Sequence, residues 1–412
     1  MQMKPFKALR PKREYAAKCA ALPYDVMSSA EAKEIAQKNP LTFLRIDRGE
    51  INFDGVAFND DKAYEAAASR LQELEKTGVY EEEAQAKFYF YRQVMNGRAQ
   101  TGIVGAAAVD DYLSGKIKKH ELTRADKEAD RIRHVKTCSA QTGPIFLVYK
   151  DDETLKKIVE AETANEPVYD FYSDEGVRQT VWVSSSKQTD EAIAAAFEKI
   201  PALYIADGHH RTASAVKASL DKRAENPDYD GTEEFNYFLS VSFPVSDLEI
   251  LPYNRLLKSL NGLTDEEFLT AVEKNLGAVC RYERAGAYTP TARHTAGLYL
   301  GGAWYSVKFH ERLLKGENPV ARLDCEILQK NLLSPVLGID DPRTDNRIDF
   351  AGGIRGLSYL EERCKKDCVA AIAMHATSLE ELIDVADGGE IMPPKSTWFE
   401  PKLLSGVFIH KI

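Results

Sequence analysis

The chain has 412 residues, 44% hydrophobic and 29% charged, and its 54 Lys plus Arg against 64 Asp plus Glu give a formal net charge of −10. A length of this size buries a substantial core and suggests two domains, or one large one with an insertion, while 25 Gly, 17 Pro and 6 Cys exclude collagen, low-complexity disorder and small disulfide scaffolds. The acidic balance gives no general electrostatic reason to hold nucleic acid or an anionic membrane, so small molecules are the expected partners.

At the N-terminus, Met1-Gln-Met-Lys-Pro-Phe-Lys7 lacks the apolar core of a secretory signal. Phe6–Arg10 and Leu41–Ile46 read as short strands. Between them Ser28 to Asn39 opens like an N-capped helix and stops before Pro40. Lys62 to Lys76 carries Tyr64, Ala67, Leu71 and Leu74 on one stripe, an amphipathic helix closed by Gly78. Lys87–Val94, Asn96-Gly97 and Ala99–Val109 form the clearest hairpin signal, because Asn-Gly suits a primed turn. The aromatic run Phe88 to Tyr91 reads as sheet core rather than a platform for a base. Charged residues dominate His120–Lys136, and Pro144–Tyr149 follows as a buried strand. Val168–Ser173 and Val177–Val183 flank Asp174-Glu-Gly176 as another pair.

Thr189–Lys199 is a helix, Ala202–Ala206 a strand, and about His210 to Arg223 a helix again. Arg223 to Glu234 is polar and rich in turn formers, the best candidate linker. Beyond it the pattern predicts a strand at Tyr237–Phe243, a helix near Asp265–Asn275 and a Gly301-Gly302 hairpin. A helix near Asp324–Leu333 and strands at Arg347–Phe350 and Cys368–His375 follow. The expected fold class is α+β, with mixed, largely antiparallel sheets. Residues 1–228 form an N-terminal lobe and 235–412 a C-terminal α+β lobe. The apolar runs Ile103–Val109 and Val369–Met374 fall far below the ~20 residues of a membrane helix, so no membrane association is expected. Cys19, Cys138, Cys280, Cys325, Cys364 and Cys368 include no C-x-x-C pair and are read as reduced thiols of a cytoplasmic protein. A homodimer is compatible with the sequence.

The sharpest local signal is Leu203-Tyr-Ile-Ala-Asp207-Gly208-His209-His210-Arg211-Thr212. An apolar strand stops, a glycine permits a tight turn, and a helix begins. At such a junction unpaired N–H groups and the helix dipole favour anions, and Arg211 adds a bidentate clamp. Asp207 is there to ligate a cation or accept a proton, and His209 and His210 can donate to phosphate oxygens. The alternative is structural: Asp207 caps the helix and Gly208 shapes the turn. A metal gripped by both histidines is weaker, because neighbouring helix positions point about 100° apart.

Tyr204-Ile-Ala-Asp-Gly-His-His-Arg211 resembles the signature of family 1015 among the domains of unknown function. The resemblance also takes in Leu22–Val26, Asn39–Arg45, His120–Thr123, Asp130-Arg131, Ile250–Arg255, Leu337–Ile339 and Ile391–Lys402. The Asp-Gly-His-x-Arg element further resembles the phosphate-binding turn of the ParB and sulfiredoxin-like nucleotide-binding superfamily. In that superfamily's kinases of free L-serine the turn reads Asp-Gly-His-Thr-Arg, so His210 stands where they have threonine. The resemblance implies a ParB/sulfiredoxin-like nucleotide-binding element. It also implies a nucleotide-dependent phosphotransferase acting on a small hydroxyl metabolite, with free L-serine, converted to O-phosphoserine, as first choice. ATP or another nucleotide would be the donor, with Mg²⁺ held at Asp207.

Phosphoryl transfer needs a carboxylate near the attacking hydroxyl; Glu121 ranks first as base and Asp25 second. His120 and Arg45 are assigned to substrate, and Gly208 to Thr212 to phosphate. Lys395, Ser396 and Thr397, stiffened by Pro393-Pro394, are assigned to the nucleotide on the expectation that the second lobe returns to the cleft. Arg131 and Arg255 are further candidate anion contacts. Two alternatives stand beside the kinase. A ParB-like regulatory module would be expected to bring a basic DNA-binding element. A metal-dependent phosphohydrolase would need ligands beyond Asp207, and His294, His310, His375 and His410 lie in segments that suggest no common site.

Overall fold

Asn96 and Gly97 both adopt left-handed backbone, φ 52° and 80°, and so close the hairpin of Tyr89–Met95 with Arg98–Ala108 as a primed turn requires. In this computed structural model, which describes residues 1–412, that hairpin is the centre of a nine-stranded sheet. From one edge the order is Ile117–Lys118, Leu203–Asp207, Ile145–Tyr149, Tyr237–Pro244, Arg98–Ala108, Tyr89–Met95, Arg178–Val183 and Tyr169–Tyr172. Met3–Lys4 also pairs with Arg98–Ala108. Only Ile117–Lys118 with Leu203–Asp207 and Tyr237–Pro244 with Ile145–Tyr149 run parallel. Phe88, Phe90, Ile103, Leu147, Phe197, Ile205 and Phe238 fill one core of this unit, each worth roughly 1.5–3 kcal/mol of burial.

The chain divides into two compact units, Met1–Leu248 with Pro401–Ile412, and Glu249–Glu400. The first unit runs past the segment read as a linker because Tyr237–Pro244 is an interior strand of its sheet, paired on both sides. Its helix reaches Glu225, and Arg223 is bonded to Asn236 and Asp110. The final residues also belong here: His410–Lys411 pairs with Ala140–Gln141, and Ile409 bridges Leu9. The second unit has its own six-stranded antiparallel sheet, ordered Gly277–Arg281, Ala303–Phe309, Thr295–Leu300, Ala370–Met374, Tyr253–Leu257, Ile348–Gly352. Its core includes Leu257, Phe268, Leu298, Leu328 and Ile372.

The architecture is α+β, with 13 α-helices and largely antiparallel sheets. Ser28 caps Ser29–Lys38 with a reciprocal bond from Glu31, as its spacing predicts. Leu41–Ile46 is not a strand. Leu44–Asp47 is a short helix packed in the cluster with Leu71 and Leu74, because a short apolar run looks alike in a strand and in a buried helical turn. Asp324–Leu333 is α-helical to Leu328 and then widens to a π-helix. No helix is long and apolar enough to cross a membrane.

Candidate functional site

The strand Leu203–Asp207 buries Leu203 through Ala206 and ends where Asp207 reaches the surface layer. Gly208 then takes φ 89° and ψ 30°, a left-handed conformation that a side chain would strain. A Cβ there would also meet the Arg211 guanidinium at 3.1–3.3 Å. Gly208 thus allows both the turn and the close approach of Arg211. The helix His209–Glu225 starts at once, with no side-chain cap and no acidic residue in its first turn. The N–H groups of His209, His210 and Arg211 have no acceptor within the helix, and its dipole adds partial positive charge there.

The Asp207 carboxylate accepts from its neighbour Gly208 N at 2.9 Å. Its second oxygen lies 3.4 Å from Lys402 Nζ and 3.6 Å from Arg211 Nη2. Burial opposes ionisation, but the two cations and the peptide N–H prevail and hold the acid well below the usual carboxylate range. Arg211 Nη1 also donates to Pro144 O at 2.6 Å. One carboxylate between two cations leaves net positive charge at a helix N-terminus, an electrostatic setting for an anion.

Two neutral histidines lie against this turn. His120 is 1% exposed and His209 6%, their rings edge to face with centroids 4.6 Å apart. Burial lowers His120 to about 4 and drives His209 well below the ordinary imidazole value. Neither ring nitrogen of His120 has a hydrogen-bond partner, nor does Nε2 of His209. Buried polar atoms are nearly always paired, so three such atoms side by side mark an incomplete polar cluster. Glu121, partly exposed, places Oε2 3.8 Å from His209 Nδ1. His210 Nε2 accepts from Arg124 N at 3.0 Å, and the exposed Asp25 raises His210's proton affinity against the effect of burial.

The first unit thus brings Glu121, His120 and Asp25 around the Asp207–Arg211 turn. Thr212, fully buried, turns its hydroxyl back to Gly208 O at 3.1 Å and locks the turn rather than facing a ligand. Arg45 is occupied by Asn52 Oδ1 and Ala36 O, at 2.9 and 2.8 Å. Lys395, Ser396 and Thr397 belong to the second unit. Lys402 escaped the residue-by-residue reading although it ends the Ile391–Lys402 segment. A lone lysine carries no spacing signal, and its partner is 195 residues away. Behind Arg211, a cavity of about 30 Å³ lined by Tyr24, Arg131, Thr142 and Ser214 has room for a water rather than a nucleotide. No group of three or more His, Cys, Asp or Glu side chains converges to hold a metal. A resident magnesium needs oxygen ligands and does not fit a carboxylate already flanked by lysine and arginine.

A family model described as "Protein of unknown function (DUF1015)" matches residues 3–326. No functionally curated protein matches the chain. Similar solved structures include a mutant free serine kinase in complex with AMP, 15% identical, covering 72% of this chain and 87% of that one with a TM-score of 0.36. SbnI with a C-terminal truncation, from Staphylococcus aureus, is 10% identical over 73% of this chain and 85% of that one, TM-score 0.36. A conserved hypothetical protein from Pyrococcus furiosus is 15% identical over 74% and 94%, TM-score 0.36.

Proposed function

The chain belongs to the DUF1015 family, and we propose that it is a nucleotide-dependent phosphotransferase acting on a small hydroxyl metabolite. The observation that carries this reading is the uncapped helix start at Gly208–Arg211 with Lys402 and Arg211 both drawn to one carboxylate. Free L-serine is the first choice of acceptor, on the likeness of the Asp-Gly-His-x-Arg element to the turn of free-serine kinases. The donor's terminal phosphate sits on the N–H groups of His209 to Arg211, where Arg211 and Lys402 offset its charge.

Glu121 takes the proton of the acceptor hydroxyl as its oxygen attacks the terminal phosphorus, and the nucleotide leaves one phosphate shorter. The unpartnered nitrogens of His120 and His209 supply hydrogen bonds to the bound groups, and being neutral they do so without repelling Lys402 or Arg211. Asp207 holds the two cations in register until a phosphate displaces it.

The test is to incubate the purified protein with Mg²⁺, ATP or other nucleotides and a panel of hydroxyl metabolites including L-serine, and to look for phosphorylated product by mass spectrometry. A product lost in Glu121→Gln supports the reading. Tight nucleotide binding without product from any acceptor would favour a regulatory nucleotide-binding module instead.

A further inference from the structure

In the second unit, Arg255 sits mid-strand in Tyr253–Leu257, 4% exposed. Its Nη1 donates to the Tyr253 carbonyl, and its Nε has no partner. The plane lies over the Phe350 ring, 5.6 Å from the centroid. No carboxylate is among the groups that act on its charge: burial lowers its proton affinity, and only Cys325 and Tyr253 oppose that. Burial also pushes the Cys325 thiol up, so it stays protonated and is no counterion.

Elsewhere this chain uses the Nε and Nη2 edge of arginine to grip a carboxylate. Arg178 holds Asp170 that way at 2.8 and 2.7 Å, Arg343 holds Asp341 at 2.9 and 2.9 Å, and Arg363 holds Asp367 at 2.7 and 2.8 Å. On Arg255, far more buried than these, the same edge is left without an anion. A buried unpaired charge is costly, and a second cation stands close. Lys395, exposed and held at φ 62°, places Nζ 5.6 Å from the centroid of the Tyr253 ring. Ser396, next in the chain, lies with its Oγ 3.1 Å from Cys325 Sγ.

We propose that Arg255 and Lys395 form a second oxyanion site, built within the Glu249–Glu400 unit and independent of the Asp207 turn. Two cations without a carboxylate match a doubly charged group, so the ligand chemistry is a phosphate monoester or inorganic phosphate. Lys395 meets it from solvent and Arg255 receives it on the edge that carries the unpartnered Nε. The Ile250–Arg255 and Ile391–Lys402 segments, distant in sequence, meet here through the pairing of Ile250–Leu251 with Trp398–Phe399.

The experiment uses the full chain carrying Arg211→Ala, which weakens the turn site, and follows thermal melting in inorganic phosphate, AMP and acetate. Phosphate should raise the melting temperature, and adding Arg255→Met should abolish the rise. Lys395→Ala should weaken the apparent affinity about tenfold, and acetate should act at least tenfold more weakly than phosphate. AMP acting at lower concentration than phosphate identifies the monoester as the ligand; the reverse order identifies free phosphate. In phosphate-free buffer Arg255→Met should melt no lower than its parent. Arg255→Lys, which keeps the charge but loses the edge, should fold and bind at least tenfold more weakly. An undiminished phosphate response in the Arg255→Met protein, a lower melting temperature for it without phosphate, or equal responses to acetate and phosphate would each overturn the proposal.

Discussion

Two buried clusters of the first unit are made of the same kinds of side chain, and only one is complete. In the cluster between Leu44–Asp47 and Ala125–Cys138, Arg131 donates to Asp130 at 2.8 Å and to Asp47 O at 3.2 Å, and packs on the Tyr24 ring at 4.0 Å. Asp130 accepts from Tyr64 OH at 2.8 Å, Asp47 from Thr142 at 2.8 Å, and His134 Nε2 lies 3.0 Å from Ile46 O. Around Asp207, by contrast, His120 and His209 hold three nitrogens without partners, and two cations share one acid. A complete polar cluster fixes the packing of its elements. An incomplete one is poised for a ligand that supplies what is missing.

The largest effect that separates the two clusters is on chemistry. Glu121→Gln should lower turnover by about 10²–10⁴-fold while nucleotide affinity and melting temperature stay near those of the parent; steady-state rates with calorimetric titration check it. Unchanged turnover would pass the role of base to Asp25 or to no side chain. Next comes stability. Arg131→Met takes the donor from Asp130 Oδ2 and from the Asp47 carbonyl, leaves the buried Asp130 charge without its cation, and should cost about 3–5 kcal/mol in urea unfolding. If the loss is under 1 kcal/mol, the complete cluster is not what holds these helices.

The pH dependence follows from His120. Its folded value of about 4 lies below the ordinary 6.5, so above pH 6.5 both states are neutral and nothing is lost. Between pH 6.5 and 4 the unfolded chain takes a proton that the folded one refuses, and stability falls by about 3 kcal/mol in total. His120→Phe should flatten that part of the profile, and an unchanged slope would assign it elsewhere. Arg211→Ala has the smallest effect. It should weaken nucleotide binding by about 1.5–3 kcal/mol, the worth of a hydrogen bond to a charged group, with melting temperature nearly constant. A large drop in melting temperature with unaltered affinity would make Arg211 a strut for Pro144.

Much of this was legible in the sequence because the signals are local. Asn96-Gly97, the Ser28–Glu31 capping box and the strand-glycine-helix pattern at Asp207 each depend on neighbours within a few residues. The same locality explains the failures. Leu44–Asp47 is helical because of packing against Ala67 and Leu71, which no six-residue window contains. Tyr237–Pro244 joins the first unit through partners 90 or more residues earlier, so a polar stretch before it looked like a boundary. His120 sits in a run of charges yet is almost wholly buried, because His209 packs on it from a segment 89 residues on. Lys402 reaches Asp207 from the other end of the chain.

The most direct measurement is a crystal structure of the full chain with a non-hydrolysable ATP analogue. The account predicts the terminal phosphate within hydrogen-bond distance of the peptide N–H groups of His209 to Arg211. Arg211 should have swung from Pro144 O to the phosphate, and at least one unpartnered imidazole nitrogen of His120 or His209 should be newly bonded. The analogue bound with its phosphates elsewhere, Arg211 still on Pro144 O and the histidines unchanged, would contradict it.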